Sequence, residues 1–359
     1  MIRPTGGAAA GRRRPRGWVW LLVLGFVGLG LWVTWTVVSG LVRLEGVTVA
    51  AGRGGGPRLE EVVLEDHGVR EKVAVVDLQG IITSELVDPL GFDLVDVIRA
   101  QLKRAGQDSR VRAVILRINS PGGEVLASDE LYRAVRRFQQ EYEKPVVALM
   151  ENVAASGGYY VAVASRWIVA NEMTLTGSIG VILSTWNYRG LMDKVGIRPY
   201  TYKSGRFKDM LSGSRDPSEI PPEEREMLQA LIDEVFARFK QVVAEGRKAA
   251  AEANQSEGRQ LVENWEEFAD GRVFSGAEAY RLGFVDELGN FETAKERAMA
   301  LAGVEEANVV RYQRRLTFAD LFPFFGGEGR AHTVKVDFGL ELPHLRAGHL
   351  YFLPPALVP

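Results

Sequence analysis

Four short stretches place hydroxyls, amines and bare backbone where they could do chemistry. NSPGG (Asn119 to Gly123) follows an apolar run and precedes a helical one. A Pro-Gly-Gly corner there is either a plain tight turn or a cradle of backbone N–H groups able to hold an oxyanion or a phosphate. ENVAASGGYYVAVAS (Glu151 to Ser165) puts Ser156 among small residues at the mouth of an apolar helix. Its hydroxyl would either cap that helix or sit where the helix dipole favours a developing negative charge. TGSIGV (Thr176 to Val181) is a Gly-Ser turn leading into an apolar strand. TYKSGRFKDMLS (Thr201 to Ser212) carries Lys203 and Lys208 beside Tyr202, Phe207 and Met210. Lysines in a loop are ordinarily solvated, but apolar neighbours can bury an ammonium.

A nucleophilic serine needs a base. The chain has four histidines, His67, His332, His344 and His349, none near the glycine turns, so a Ser-His-Asp triad has no well-placed member. With no cysteine, thiolate nucleophiles, thiolate zinc sites and iron-sulfur clusters are excluded as well. A lysine can replace histidine when an apolar pocket and neutral hydroxyl contacts lower its pKa from about 10.4 towards neutrality, at about 1.4 kcal/mol per unit.

The elements that must hold these residues alternate. KVAVVDLQG, VRAVILRI and PVVALM are short β-branched or apolar runs; FDLVDVIRAQLKRAG and EVLASDELYRAVRRFQQEYEK have helical spacing. Strands alternating with helices predict an α/β protein with a parallel sheet and its working groups on strand-to-helix turns. After Lys208 the pattern becomes helical, with one long amphipathic helix in PPEEREMLQALIDEVFARFKQVVAEGRKAA and another in ETAKERAMALAG. In 359 residues, 46% are apolar and 25% charged, the composition of a folded globular protein. Lys and Arg number 44 against 46 Asp and Glu, a net charge of -2, so no global basic field exists to hold nucleic acid.

Gly17 to Val42 is 26 residues without a charge, roughly 39 Å as a helix and enough to cross a bilayer with some tilt. RRRPR precedes it and only Arg43 and Glu45 follow closely. The positive-inside rule then predicts a cytoplasmic tail at 1–16, an uncleaved anchor at 17–42 and the remainder outside. A cleavable signal peptide would have a shorter apolar stretch. Residues 43–71, rich in glycine and charge, read as a stalk with some local strand character; 313–359, ending LPPALVP, read as an extended tail.

SPGG, ASGGYY, LTGSIGV and YKSGRFKD, in this order, together with GRVFSGAEAYRLGFVDELG (Gly271 to Gly289), resemble the signal peptide peptidase A family. These are membrane-anchored serine-lysine proteases of the caseinolytic-protease and crotonase superfamily. The resemblance covers about residues 72–300 plus the anchor, and implies a protease domain over 72–312 with a crotonase-like parallel sheet and flanking helices. It makes Ser156 the nucleophile and Lys208 its general base, with Lys203 the rival, and Ser178 the hydroxyl that orients the lysine amine. It assigns the oxyanion hole to the N–H groups of Gly123 and Gly157, and calls for no metal or other cofactor. It further implies a homo-oligomeric ring on the outer face of the membrane, in which neighbouring subunits complete one another's sites, cutting hydrophobic peptides such as signal-peptide remnants. In such proteins the C-terminal tail can reach the groove, and LPPALVP is apolar enough to do so. The rival expectations are a stomatin-operon-type membrane protease, a crotonase-like acyl-CoA enzyme and a non-catalytic membrane scaffold.

Overall fold

The computed structural model describes residues 57–84, 92–314 and 350–352. The chain divides into two units, Met1–Gly55 and Gly56–Pro359, and everything described belongs to the second. The anchor expected at 17–42 lies outside the described residues, among which no helix is long and apolar enough to cross a membrane.

Three apolar runs become the centre of a nine-stranded sheet: β2 (Lys72–Gln79), β3 (Val111–Ser120) and β5 (Val146–Ala155) lie side by side and parallel. Successive residues of a strand face opposite ways, and here both faces are covered. Ala74, Val76, Val114, Leu116 and Ala148 enter one core; Val73, Val75, Ala113, Ile115 and Val147 enter another. That two-sided burial explains why these strands read as continuous apolar runs instead of alternating ones. β6 (Trp167–Ala170) and β9 (Glu287–Leu288) continue the sheet in parallel on one side. On the other side β10 (Asn308–Arg314) runs parallel to β2 and is closed by β1 (Leu59–Glu65), which is antiparallel. Residues 59–65, expected within a stalk, are therefore an edge strand of the sheet. The short β7 (Leu175–Gly177) extends β5 in parallel and pairs antiparallel with β8 (Val273–Ser275).

Helices cover both faces. α1 (Leu94–Gln107) begins at Asp93, whose carboxylate accepts from the Asp96 N–H at 2.7 Å. α2 (Val125–Tyr142) follows the NSPGG corner and the two-residue β4 (Gly123–Glu124). α3 (Gly157–Ala162) follows Ser156, and α4 (Arg189–Lys194) lies in an exposed excursion. α5 (Pro222–Ala253) is the long helix, 32 residues with Pro222 at its first turn. α6 (Gly276–Arg281) and α7 (Phe291–Ala302) complete the set. Ala294 and Ala298 of α7 pack on the second core.

A buried ion pair ties α5 to the strand end before β9. The Arg247 guanidinium donates to both carboxylate oxygens of Asp286, at 2.6 and 2.8 Å, and to the carbonyls of Gly283 and Arg259. Asp286 also accepts from the N–H groups of Ile168 and Arg259. Breaking such a pair from one side strands a buried charge, which costs about 3–5 kcal/mol. Asp286→Ala is expected to lose that amount in chemical denaturation; a loss below about 1 kcal/mol would show that the pair is not holding α5.

Candidate active site

Ser156 stands where β5 gives way to α3, and its backbone is strained. Its φ is 54° and its ψ −116°, a region that costs a non-glycine residue about 1–3 kcal/mol. The N–H donates to the Gly177 carbonyl at 2.8 Å, which anchors the residue to β7. The side chain does not cap α3, so the capping reading fails. Instead the Oγ is fully buried with no hydrogen-bond partner. A buried hydroxyl without a partner costs about 1–3 kcal/mol, so strain and lost solvation meet on one side chain.

The NSPGG corner is folded against it. A Cβ on Gly157 would lie 2.5 Å from Ser128 Oγ and 3.1 Å from the Gly123 nitrogen; one on Gly122 would lie 2.7 Å from the Gly157 nitrogen. Only glycines permit this approach, and Gly122, at φ 108°, takes a conformation closed to other residues. The Gly123 nitrogen thus lies close to Gly157, the residue next to Ser156, although the two glycines are 34 residues apart in sequence. The corner is built by β3 and β5 ending side by side, Ser120 paired with Ala154.

Ser178, 3% exposed, follows Gly177 and so lies one residue from the carbonyl that binds Ser156. Its φ is 50°, and its N–H donates to the Arg272 carbonyl at 2.7 Å. The apolar strand expected after TGS does not form as a named element; only Ile182 makes a β-bridge, to Tyr351.

Neither lysine is hydrogen-bonded to Ser156, although Met210 and Leu211, just after Lys208, line the cavity that also holds Tyr160. Lys208 is exposed in a run of turns, its N–H to the Gly205 carbonyl, and since Ser156 Oγ has no partner the two are not hydrogen-bonded within one chain. Lys203 is occupied: its amine donates to Asp209 at 2.5 Å and to the Arg206 carbonyl. Lys203 holds the Asp209 carboxyl below its usual range. An amine committed to a carboxylate and a carbonyl is not free to take the Ser156 proton.

Beside the corner lies a piece of the C-terminal tail, just ahead of the LPPALVP stretch expected to reach the groove. β11 (Tyr351–Phe352) pairs antiparallel with β4, Phe352 opposite Gly123. Val125 N–H donates to Leu350 O, while Tyr351 exchanges both backbone hydrogen bonds with Ile182 at 3.0 and 3.1 Å. A short extended segment is thus held on both edges. LPPALVP itself, at 353–359, lies outside the described residues. Around Leu350 and Phe352 opens a cavity of about 650 Å³ lined by apolar side chains such as Leu126, Leu183, Leu228 and Leu231 together with charged ones, Glu124, Asp129, Arg133, Glu234 and Arg238. Tyr160, in its wall, donates its hydroxyl to Asp129 at 2.8 Å, and burial together with that acceptor pushes its phenol above the ordinary value. Phe239 of α5, also against this segment, gave no sign in the sequence, where it is one apolar residue of an amphipathic helix.

A serine hydroxyl freed of structural duties, set beside two converging backbone amides and an edge that accepts an extended chain, defines an α/β site of the serine-peptidase class. Residues 138–305 match the profile of Peptidase family S49. A protein of Synechocystis sp. that bears a protease name is 37% identical over 281 residues, covering 76% of this chain and 89% of its own. One of Enterococcus faecium, named for signal peptide peptidase SppA, is 34% identical over 267 residues, 73% of each chain. The chloroplastic serine protease SPPA of Arabidopsis thaliana is 33% identical over 258 residues, 71% of this chain and 35% of its own. The chain belongs to peptidase family S49, the signal peptide peptidase A family.

Proposed function

We propose that this serine peptidase works through a Ser156–Lys208 dyad, anchored in the membrane by residues 17–42 and acting on hydrophobic peptides such as signal-peptide remnants. The observation that carries the reading is the Ser156 hydroxyl, buried, unpartnered and on a strained backbone, next to Gly157, against which the Gly122–Gly123 corner is packed. Lys208 takes the hydroxyl proton as Ser156 Oγ attacks the peptide carbonyl, and the Gly123 and Gly157 N–H groups stabilise the oxyanion. The amine then protonates the departing nitrogen, and later activates the water that hydrolyses the acyl-enzyme. Ser178 orients the amine, offering it a neutral oxygen that does not favour its charged form as a carboxylate would. The chemistry calls for no metal or other cofactor.

Within one chain Lys208 is exposed and not bonded to Ser156, and in this reading a second copy brings it to the hydroxyl. The surface near it suits that role. Trp186, Leu191, Val195, Ile197, Tyr200 and Tyr202 are all exposed, Tyr202 at 95%, a patch of the kind that marks protein–protein contact. A head-to-tail contact of this sort closes into a ring, with a dome on the outer membrane face as its form. The test is hydrolysis of hydrophobic peptides by the full chain in detergent. The proposed machinery requires that turnover disappear in both Ser156→Ala and Lys208→Ala while the proteins remain folded; turnover surviving in either removes the dyad.

A further inference from the structure

Ser120, Ser128 and Ser156 are all fully buried around the glycine corner. Ser156 has the role proposed above, and Ser120 builds the corner from within, its Oγ accepting from the Gly122 N–H at 3.1 Å. Ser128 is placed differently. It ends the first turn of α2, and its Oγ donates to the Glu124 carbonyl at 2.8 Å. Glu124 stands directly before the helix, so that carbonyl already accepts the first intrahelical hydrogen bond. A serine that bonds back four residues in this way slightly destabilises a helix and tends to bend it. Alanine, the best helix former, would serve α2 better. On its other side the same hydroxyl meets the residue after the nucleophile. A Cβ on Gly157 would stand 2.5 Å from Ser128 Oγ, nearer than to the Gly123 nitrogen at 3.1 Å or the Gly122 Cα at 3.2 Å. One buried oxygen is thus bonded to the end of the corner and packed against Gly157. The far edge of the corner is pinned by Ile82, whose N–H donates to the Gly122 carbonyl at 2.9 Å and whose carbonyl accepts from the Glu124 N–H at 2.7 Å. Ser128 pins it from the α2 side.

We infer that Ser128 is a positioning residue of the peptidase reaction, its hydroxyl fixing the spacing between the Gly123 corner and Gly157 and so the fit of their two amides to the transition state. It acts through those amides and not on the substrate. Donors aimed at the oxyanion serve the transition state more than the ground state, so displacing them lowers kcat and leaves KM nearly where it was. This rests on Ser156 being the nucleophile and on the Gly123 and Gly157 N–H groups being its oxyanion donors.

The test uses the full chain in detergent, a fluorogenic hydrophobic peptide, and a peptide aldehyde of the same sequence. The aldehyde forms a tetrahedral adduct with a nucleophilic serine, and the adduct's oxygen takes the oxyanion position. In Ser128→Ala, kcat is expected to fall by about 10- to 100-fold, short of the roughly 10²- to 10³-fold that loss of a whole oxyanion donor costs, with KM held within about threefold. The inhibition constant of the aldehyde is expected to rise by the same factor as kcat/KM falls, because both read the fit to a tetrahedral oxyanion. A merely structural role would not tie those two factors together. Should Ser128→Ala not fold by circular dichroism, Ser128→Cys, with a larger atom and a weaker donor at the same contact, is read in the same way: lower kcat, steady KM, weaker aldehyde. A folded variant whose kcat stays within about twofold of wild type, or whose kcat falls while the aldehyde binds as before, would overturn the inference and leave the nucleophile in place. A wild-type protein that the aldehyde does not inhibit, with no serine-directed label on Ser156, would overturn both.

Discussion

Ser156→Ala is expected to lower kcat/KM for peptide hydrolysis by about 10⁴-fold or more, since a deleted nucleophile leaves only binding and the oxyanion donors. The same change is expected to raise stability. The wild-type hydroxyl is buried without a hydrogen bond, and removing an unsatisfied buried group returns its desolvation cost, about 1 kcal/mol or somewhat more. The backbone at φ 54° is no worse for alanine than for serine. A protein selected only to fold would not keep both penalties at one residue, and opposite signs for activity and stability are what a functional site under strain produces. Denaturant midpoints and peptide turnover on the same preparations check it. An alanine variant that is both active and less stable would mean that Ser156 serves the fold.

Lys208→Ala is expected to be nearly as inactive, and the two inactive variants are expected to rescue each other. Lys208 is exposed, and Ser156 Oγ lacks a partner, in the single chain. In a head-to-tail ring the serine of one copy meets the lysine of the next. Co-expressed Ser156→Ala and Lys208→Ala chains, mixed at random, then contain intact Ser–Lys pairs at about one quarter of the interfaces. Affinity tags of two kinds allow mixed assemblies to be purified before turnover is measured. Recovery of about a quarter of wild-type activity is expected. A mixed assembly as silent as its parents would mean that serine and lysine belong to the same chain, and that the loop bearing Lys208 must fold inward to act.

The parts of the fold legible in the sequence are those whose energetics are local. The runs that became β2, β3 and β5 have continuous apolar centres because helices cover both faces, and the long helix from Pro222 announced itself by spacing. β1 was obscured because LEEVVLE is half exposed and its partner strand, β10, lies more than 240 residues further on. No local signal encodes such a pairing. The glycines of NSPGG and ASGG marked the corner correctly as tight backbone, but only coordinates show that the two glycine turns touch. The choice between Lys203 and Lys208 could not be made from spacing alone. The Lys203–Asp209 ion pair gives a physical reason to set Lys203 aside. The tail was expected at the groove through LPPALVP, whereas it is Leu350–Phe352 that pairs with β4; Phe239 gave no sign because its place arises from packing on Tyr160 and Phe352, far from it in sequence.

The proposal that Ser156 is a nucleophile activated by Lys208 is tested most directly by a fluorophosphonate that reacts covalently with activated serines, mapped by peptide mass spectrometry across a pH series. A single adduct on Ser156 is expected, its rate falling at least about 10²-fold in Lys208→Ala. No adduct at any pH, or labelling just as fast without Lys208, would contradict it.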